Sequence, residues 1–172
     1  LAYLNKAFAT EQKYVCISRP RRFGKSMAAN MISAYYDRTT DAKGLFQGME
    51  IAKDESFARY ANQQDVIALN MQKFLSRTHS MGNLLLLLQQ RVLRELMKEY
   101  PDVDYFDSSS LSGCMEEIFA ETGRQFVIII DEWDCIFREY KDRIVDQKQY
   151  LDFLRDWLKD SSYVGLAYMT GI

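Results

Sequence analysis

The chain has 172 residues, of which 48% are apolar and 27% charged, with a net charge of -2. That length supports one α/β domain with a sizeable core and is too short for two full ones, and the composition is that of a soluble globular protein. The slight negative balance excludes a generally basic nucleic-acid binder and leaves room for a local basic patch.

In chain order, the first expected element is a buried strand at 14–18, followed directly by Arg19-Pro20-Arg21-Arg22-Phe23-Gly24-Lys25-Ser26. An amphipathic helix comes next, its apolar face marked by Met27, Met31 and Tyr35 with Ala28 and Ile32 beside them. Segment 37–64 is polar and mixed and reads as loop with short helical turns. A second strand is expected at 65–70. His79 lies in the polar stretch 76–83 with no Cys, Asp or Glu at metal-ligand spacing, and reads as a solvent-facing loop residue. Over 84–100, Leu85, Leu88, Val92 and Leu96 mark one helix face, widened by Leu93 and Met97. A further helix carries Leu111, Met115, Ile118 and Phe119 and ends at Gly123. A third strand is expected at 125–130, then a helix bearing Tyr150, Leu154, Trp157 and Leu158, then a fourth strand at 163–169. The first, third and fourth strands are almost continuously apolar, as parallel strands covered on both faces are. Strands alternating with helices predict a parallel α/β sheet.

No repeat, low-complexity tract or linker interrupts 1–172, so a single domain is expected. Cys16, Cys114 and Cys135 stand far apart in apolar stretches and read as reduced core residues of a cytoplasmic protein. The longest apolar run, 84–88, falls far short of the ~20 residues that span a bilayer. No signal-peptide pattern is present. Leu1 is not methionine, so the natural start is expected upstream.

Two segments carry chemistry. Residues 19–26 match the second half of the phosphate-loop pattern G-x-x-x-x-G-K-[ST], with Arg19 where the first glycine belongs. Gly24 lets backbone amides approach phosphate oxygens, Lys25 reaches the β- and γ-phosphates, and the Ser26 hydroxyl suits Mg²⁺. A Cβ at residue 19 resists the positive φ that glycine adopts, so the loop should enter by another path, stiffened by Pro20. The Arg19 side chain is expected to point away from the phosphates. Of the adjacent Arg21 and Arg22, one should face phosphate, with Phe23 beside them in the binding loop; the other should brace the loop or pair with an acid such as Asp134.

The second segment is the apolar run 126–130 leading into Asp131-Glu132-Trp133-Asp134, a Walker B pattern. Asp131 would hold Mg²⁺ and Glu132 would activate the attacking water. Both segments follow strand ends, and open parallel sheets bind ligands at the carboxyl ends of their strands. Thr170, ending the fourth strand, has the chemistry and chain order of a sensor residue that binds the attacking water or the γ-phosphate.

The string from Ser18 to Ser26, together with Ile130-Asp131-Glu132-Trp133-Asp134 and Tyr168-Met169-Thr170-Gly171-Ile172, resembles the predicted AAA-ATPase-like family of bacterial and archaeal proteins. In that family Arg-Pro stands where the loop glycine would be, so Arg19 fits the resemblance. The resemblance implies a P-loop NTPase, a three-layer αβα fold with a parallel sheet of the additional-strand type, order 5-1-4-3-2. Strand 5, a helical lid and a nuclease-like domain of the PD-(D/E)XK type are expected beyond Ile172; that domain would bring nucleic acid as a partner. The implied activity is Mg²⁺-dependent ATP hydrolysis, with Lys25, Glu132 and Thr170 catalytic, residues 21–26 on the nucleotide, and Ser26 and Asp131 on the metal. Competing readings are a nucleotide-sensing switch, a nucleic-acid-binding module built on Arg19, Arg21, Arg22 and Lys25, and a P-loop kinase. Glu132 disfavours the kinase, where a base for water is a liability.

Overall fold

A computed structural model of the chain describes residues 1–20 and 22–172. The elements run α1 (Ala2–Ala7), β1 (Tyr14–Ser18), α2 (Lys25–Tyr36), α3 (Lys43–Phe46), a 3₁₀ turn (Glu50–Lys53), α4 (Phe57–Tyr60), β2 (Asp65–Asn70), α5 (Met71–Leu75), α6 (Met81–Glu99), α7 (Leu111–Thr122), β3 (Phe126–Asp131), α8 (Cys135–Glu139), α9 (Ile144–Leu158) and β4 (Val164–Gly171). They fall into two compact units. One comprises Leu1–Leu69, Gln125–Glu132 and Val164–Ile172; the other comprises Asn70–Arg124 and Trp133–Tyr163. No helix among the described residues is long and apolar enough to cross a membrane.

The first unit holds the sheet, in the order β1-β4-β3-β2, with β1 and β3 flanking β4 and parallel to it. An α/β fold is therefore observed. The fifth strand of the expected 5-1-4-3-2 order has no counterpart among the described residues. β1 and β2 coincide with their expected spans, whereas β3 reaches Asp131 and β4 reaches Gly171, beyond the expected ends at 130 and 169. Asp131 and Thr170 thus belong to strands, and the parallel register pairs them. β3 is buried along its whole length and β4 nearly so, as expected of strands covered on both faces. β1 departs from that expectation. It sits at the sheet edge with Val15 and Ile17 half-buried while Tyr14, Cys16 and Ser18, on the opposite face, are exposed. Cys16 is accordingly exposed rather than a core residue; Cys114 and Cys135 are buried, and all three are free thiols.

Helix α2 is buried along Lys25, Ala29, Ile32 and Tyr36, with Tyr35 alongside. These positions step by four, three and four residues and so form one stripe. Met27 lies two residues, or about 200°, from Lys25 around the helix and is 76% exposed; Met31 is exposed with it. The sequence-based face is wrong for the two methionines and right for Ile32 and Tyr35. The core-facing stripe is set by the start of the helix at the lysine, not by the most apolar residues.

Segment 37–64 does form short helical turns, and it also supplies core. Phe46, Ile51 and Tyr60 are buried with Tyr35, Tyr36, Val127, Ile129 and Leu166. Tyr35 meets Tyr36 and Phe46 edge-on, with ring centroids 4.9 and 5.2 Å apart, the geometry that aromatic quadrupoles favour. At the centre is buried Asn5 on α1, whose Nδ2 donates to Tyr35 Oη and to Ser56 Oγ, both at 2.8 Å. Its Oδ1 accepts from Tyr36 Oη at 2.7 Å. Burial pushes the Tyr36 phenol well above its ordinary range, so it stays a donor. The end of α1 also crosses β4 closely. A Cβ at Gly165 would lie 2.3 Å from Phe8 Cζ, so the absence of a side chain there is what admits the Phe8 ring.

In the second unit, α6 buries Leu84, Leu85, Leu88, Val92, Leu93 and Leu96, α7 buries Leu111, Cys114, Met115 and Ile118, and α9 buries Tyr150, Leu154, Trp157 and Leu158. These are the faces expected from the sequence, except that Met97 and Phe119 are only half-buried. Gly123 ends α7 at φ +67, and His79 is exposed. Trp157 Nε1 points at Met115 Sδ at 3.1 Å, tying α9 to α7.

The Asn5 junction yields a stability prediction. Asn5→Ala leaves the buried Tyr36 hydroxyl without its acceptor and should lower the unfolding free energy by about 2 kcal/mol. Urea unfolding of the two proteins measures this, and a loss below about 0.5 kcal/mol, the scale of an ordinary surface substitution, would show that the junction is not a structural tie.

Candidate functional site

The register of the sheet assembles the site. Asp131 on β3 stands beside Thr170 on β4, and Ser18 on β1 stands beside Gly171, so three strand ends meet along one edge. The chain leaves β1 with Arg19 N–H donating to Gly171 O at 3.2 Å, then passes through the loop to α2. Every residue named here lies in the first unit.

Lys25 is only 8% exposed. Its Nζ donates to Arg19 O at 2.6 Å and to Pro20 O at 3.1 Å. An ammonium has three donors, so one remains. Among the described residues no carboxylate pairs with it. The two carbonyls supply dipoles and no charge, so an anion would supply what the ammonium lacks here.

Ser26, in the first turn of α2, donates from Oγ to Asp131 Oδ2 at 2.7 Å. Thr170, completely buried, donates from Oγ1 to Asp131 Oδ1 at 2.5 Å. Two hydroxyls from two elements thus fix both oxygens of one buried carboxylate. Gly24 is the N-cap of α2 at φ +73 and provides no side-chain acceptor. By contrast Asn70, Ser80 and Ser110 cap α5, α6 and α7 with side-chain oxygens. The first amides of α2 therefore retain donor capacity, next to the positive end of the helix dipole.

Glycine is absent from position 19, and the structure reveals where the turn is made instead. Arg19 does not have a positive φ; Arg22 does, at +68, followed by Gly24. The left-handed step has moved along the loop onto a residue with a side chain. Glu132, immediately after the clamped Asp131, also has positive φ, at +56. Such conformations persist in non-glycine residues only where the surroundings enforce them.

Of the residues singled out in the sequence, Gly24, Lys25, Ser26, Asp131 and Thr170 come together, and Glu132 directly follows Asp131 at the same strand end. Arg22 and Phe23 are exposed on the loop. Arg21 lies outside the described residues. Asp134, an expected partner for one of the arginines, is held by Arg138 at 2.6 Å within the second unit. Sequence reasoning missed that the Arg19 and Pro20 carbonyls hold the lysine and that Thr170 bonds Asp131. The order of strands along the edge, which puts β4 next to β3, is the signal that pairs those two side chains.

A protein-family model described as predicted AAA-ATPase matches residues 2–172. The chain belongs to this family. Membership in the AAA-ATPase-like family makes nucleotide binding and ATPase chemistry its general class of activity. Searches of curated proteins and of solved structures return no match.

The loop geometry separates two substitutions. Arg19→Gly adds freedom to a residue that already has an ordinary φ, and should lower stability by about 0.4–1 kcal/mol. Arg22→Gly relieves a left-handed side-chain position and should raise stability by about 1 kcal/mol. Thermal melts of both variants check the pair; equal losses would contradict a turn made at Arg22.

Proposed function

We propose that this AAA-ATPase-like chain binds ATP at the edge where β1, β3 and β4 end, and hydrolyses it. The observation that carries the reading is Lys25, a buried ammonium that lacks a carboxylate partner among the described residues and opens onto a helix start with unclaimed amides. A polyphosphate supplies the missing negative charge and accepts from both. In this assignment residues 22–26 form the phosphate loop, Lys25 takes a β- or γ-phosphate oxygen, and Arg21 and Arg22 add charge around the loop.

The donor set suits Mg²⁺. Ser26 Oγ and the Asp131 carboxylate are oxygen donors 2.7 Å apart at the helix start, and no group of three His, Cys, Asp or Glu among the described residues offers a protein cage. Mg²⁺ favours such a site, completed by water and phosphate oxygens. Ser26 and Asp131 would hold it, and the ion would neutralise charge on the phosphate oxygens. Thr170 keeps Asp131 oriented toward Ser26, so its contribution to turnover is exerted through the carboxylate.

Glu132 is assigned as the general base. It takes a proton from a water whose oxygen attacks the terminal phosphorus, while the bond to the ADP oxygen breaks and yields ADP and phosphate. Its enforced backbone conformation, one residue past the rigid Asp131, gives the carboxylate a fixed starting point. The change of charge at the loop on hydrolysis would drive or gate a conformational change in a larger protein.

Two substitutions test this division of labour. Lys25→Ala should weaken ATP binding by at least roughly tenfold, the loss of about 1.5–3 kcal/mol of charge-assisted bonding. Calorimetric titration reads this directly, and equal affinities would remove the phosphate-loop assignment. Glu132→Gln should keep ATP binding and lower the release of phosphate by at least ~10²-fold. Unchanged turnover would remove Glu132 as the general base.

A further inference from the structure

The second unit carries a groove of about 580 Å³ that belongs to no part of the nucleotide site. Its apolar floor comes from α6 at Leu86, Leu93 and Met97, positions seven and four residues apart on one stripe. Arg94 and Lys98 on the same helix and Ser109, from the segment before α7, also line it. From Leu86 to Lys98 the helix rises roughly 18 Å. Leu86 is 53% exposed.

The charges make the surface specific. The groove is lined by Arg94 and Lys98 and by no carboxylate. Elsewhere in this unit Arg138 pairs with Asp134, Arg143 with Asp146 and Arg155 with Asp152, while Arg91 on α6 lies over the Phe74 ring. Among the described residues neither Arg94 nor Lys98 has an ion-pair partner. They are like charges four residues apart on the helix, and Glu95, the acid between them in sequence, is not among the groove-lining residues.

We propose that this groove docks an acidic amphipathic helix of a partner protein. Aliphatic residues at helical spacing on the partner cover Leu86, Leu93 and Met97, and carboxylates on its flank meet Arg94 and Lys98, the helix-in-groove mode of recognition. About three turns of partner helix match the length of the floor. Two cations bordering an apolar floor suit a peptide better than a nucleic acid, which is held by a longer run of phosphate contacts.

The test uses a fluorescein-labelled helical peptide of fourteen residues, with leucines spaced i, i+4, i+7 and i+11 and glutamates on the flanks, and a second peptide with lysines in place of the glutamates. Fluorescence anisotropy should give saturable binding of the glutamate peptide to the intact chain and at least roughly tenfold weaker binding of the lysine peptide. Arg94→Glu/Lys98→Glu should reverse that preference, and the exposed Leu86→Ser should weaken both, with ATP affinity unchanged in each variant. Failure of the glutamate peptide to saturate, equal binding of the two peptides, or no effect of the charge reversal would overturn the proposal. So would displacement of the glutamate peptide by a single-stranded oligonucleotide at lower concentration than by unlabelled peptide.

Discussion

A charged lysine on the core-facing side of a helix is the constraint around which the sheet edge is arranged. Lys25 opens the same stripe of α2 that continues through Ala29, Ile32 and Tyr36 onto the apolar core. The helix cannot dock on the sheet without carrying the ammonium out of water. Two carbonyls of the incoming loop take up part of its hydrogen-bonding demand. They supply dipoles and no countercharge, and the nearby helix start adds positive potential of its own. Packing therefore leaves Lys25 at the sheet edge without a carboxylate partner among the described residues. In the proposed function, a phosphate of the bound nucleotide supplies that charge.

The acidic half of the site follows from a different rule, the register of parallel strands. Once β4 lies between β1 and β3, the pairing of Asp131 with Thr170 and of Ser18 with Gly171 is fixed by the hydrogen-bond ladder. The buried Asp131 is acceptable there because Ser26 and Thr170 satisfy both of its oxygens. A residue from the helix and one from the neighbouring strand thus hold the carboxylate before any ligand arrives, the kind of preorganisation on which electrostatic catalysis depends. Elsewhere in the first unit, the Asn5 junction and the aromatic groups of segment 37–64 anchor the far end of α2.

Much of this was legible in the residues. Apolar runs marked β1 and β2 to the residue, and the 3.6-residue period exposed the buried faces of α6, α7 and α9. Gly24, Lys25 and Ser26 announced the loop because few other combinations combine a positive-φ residue, a cation and a hydroxyl at a helix start. Other features were hidden for physical reasons. Met27 and Met31 looked like core because hydrophobicity says nothing about where a helix begins relative to the sheet, and here the phase is set by Lys25. Cys16 looked buried because an edge strand and a central strand can share the same apolar run. The core contribution of segment 37–64 has no period at all; Phe46, Ile51 and Tyr60 are placed by turns rather than by a regular element. The left-handed Arg22 was invisible for the opposite reason, since nothing in an arginine announces positive φ.

Asp131, clamped between Ser26 and Thr170, is proposed as the metal-binding half of a nucleotide site whose other half is Lys25. Calorimetric titration of ATP into wild type and Asp131→Asn, each with Mg²⁺ and with excess EDTA, addresses it most directly. Asparagine keeps an acceptor for one hydroxyl but lacks the charge that attracts a divalent ion. Mg²⁺ should tighten ATP binding to wild type by roughly tenfold or more, the order of one charge-assisted contact, and Asp131→Asn should lose most of this gain. Equal Mg²⁺ dependence in the two proteins would contradict this assignment.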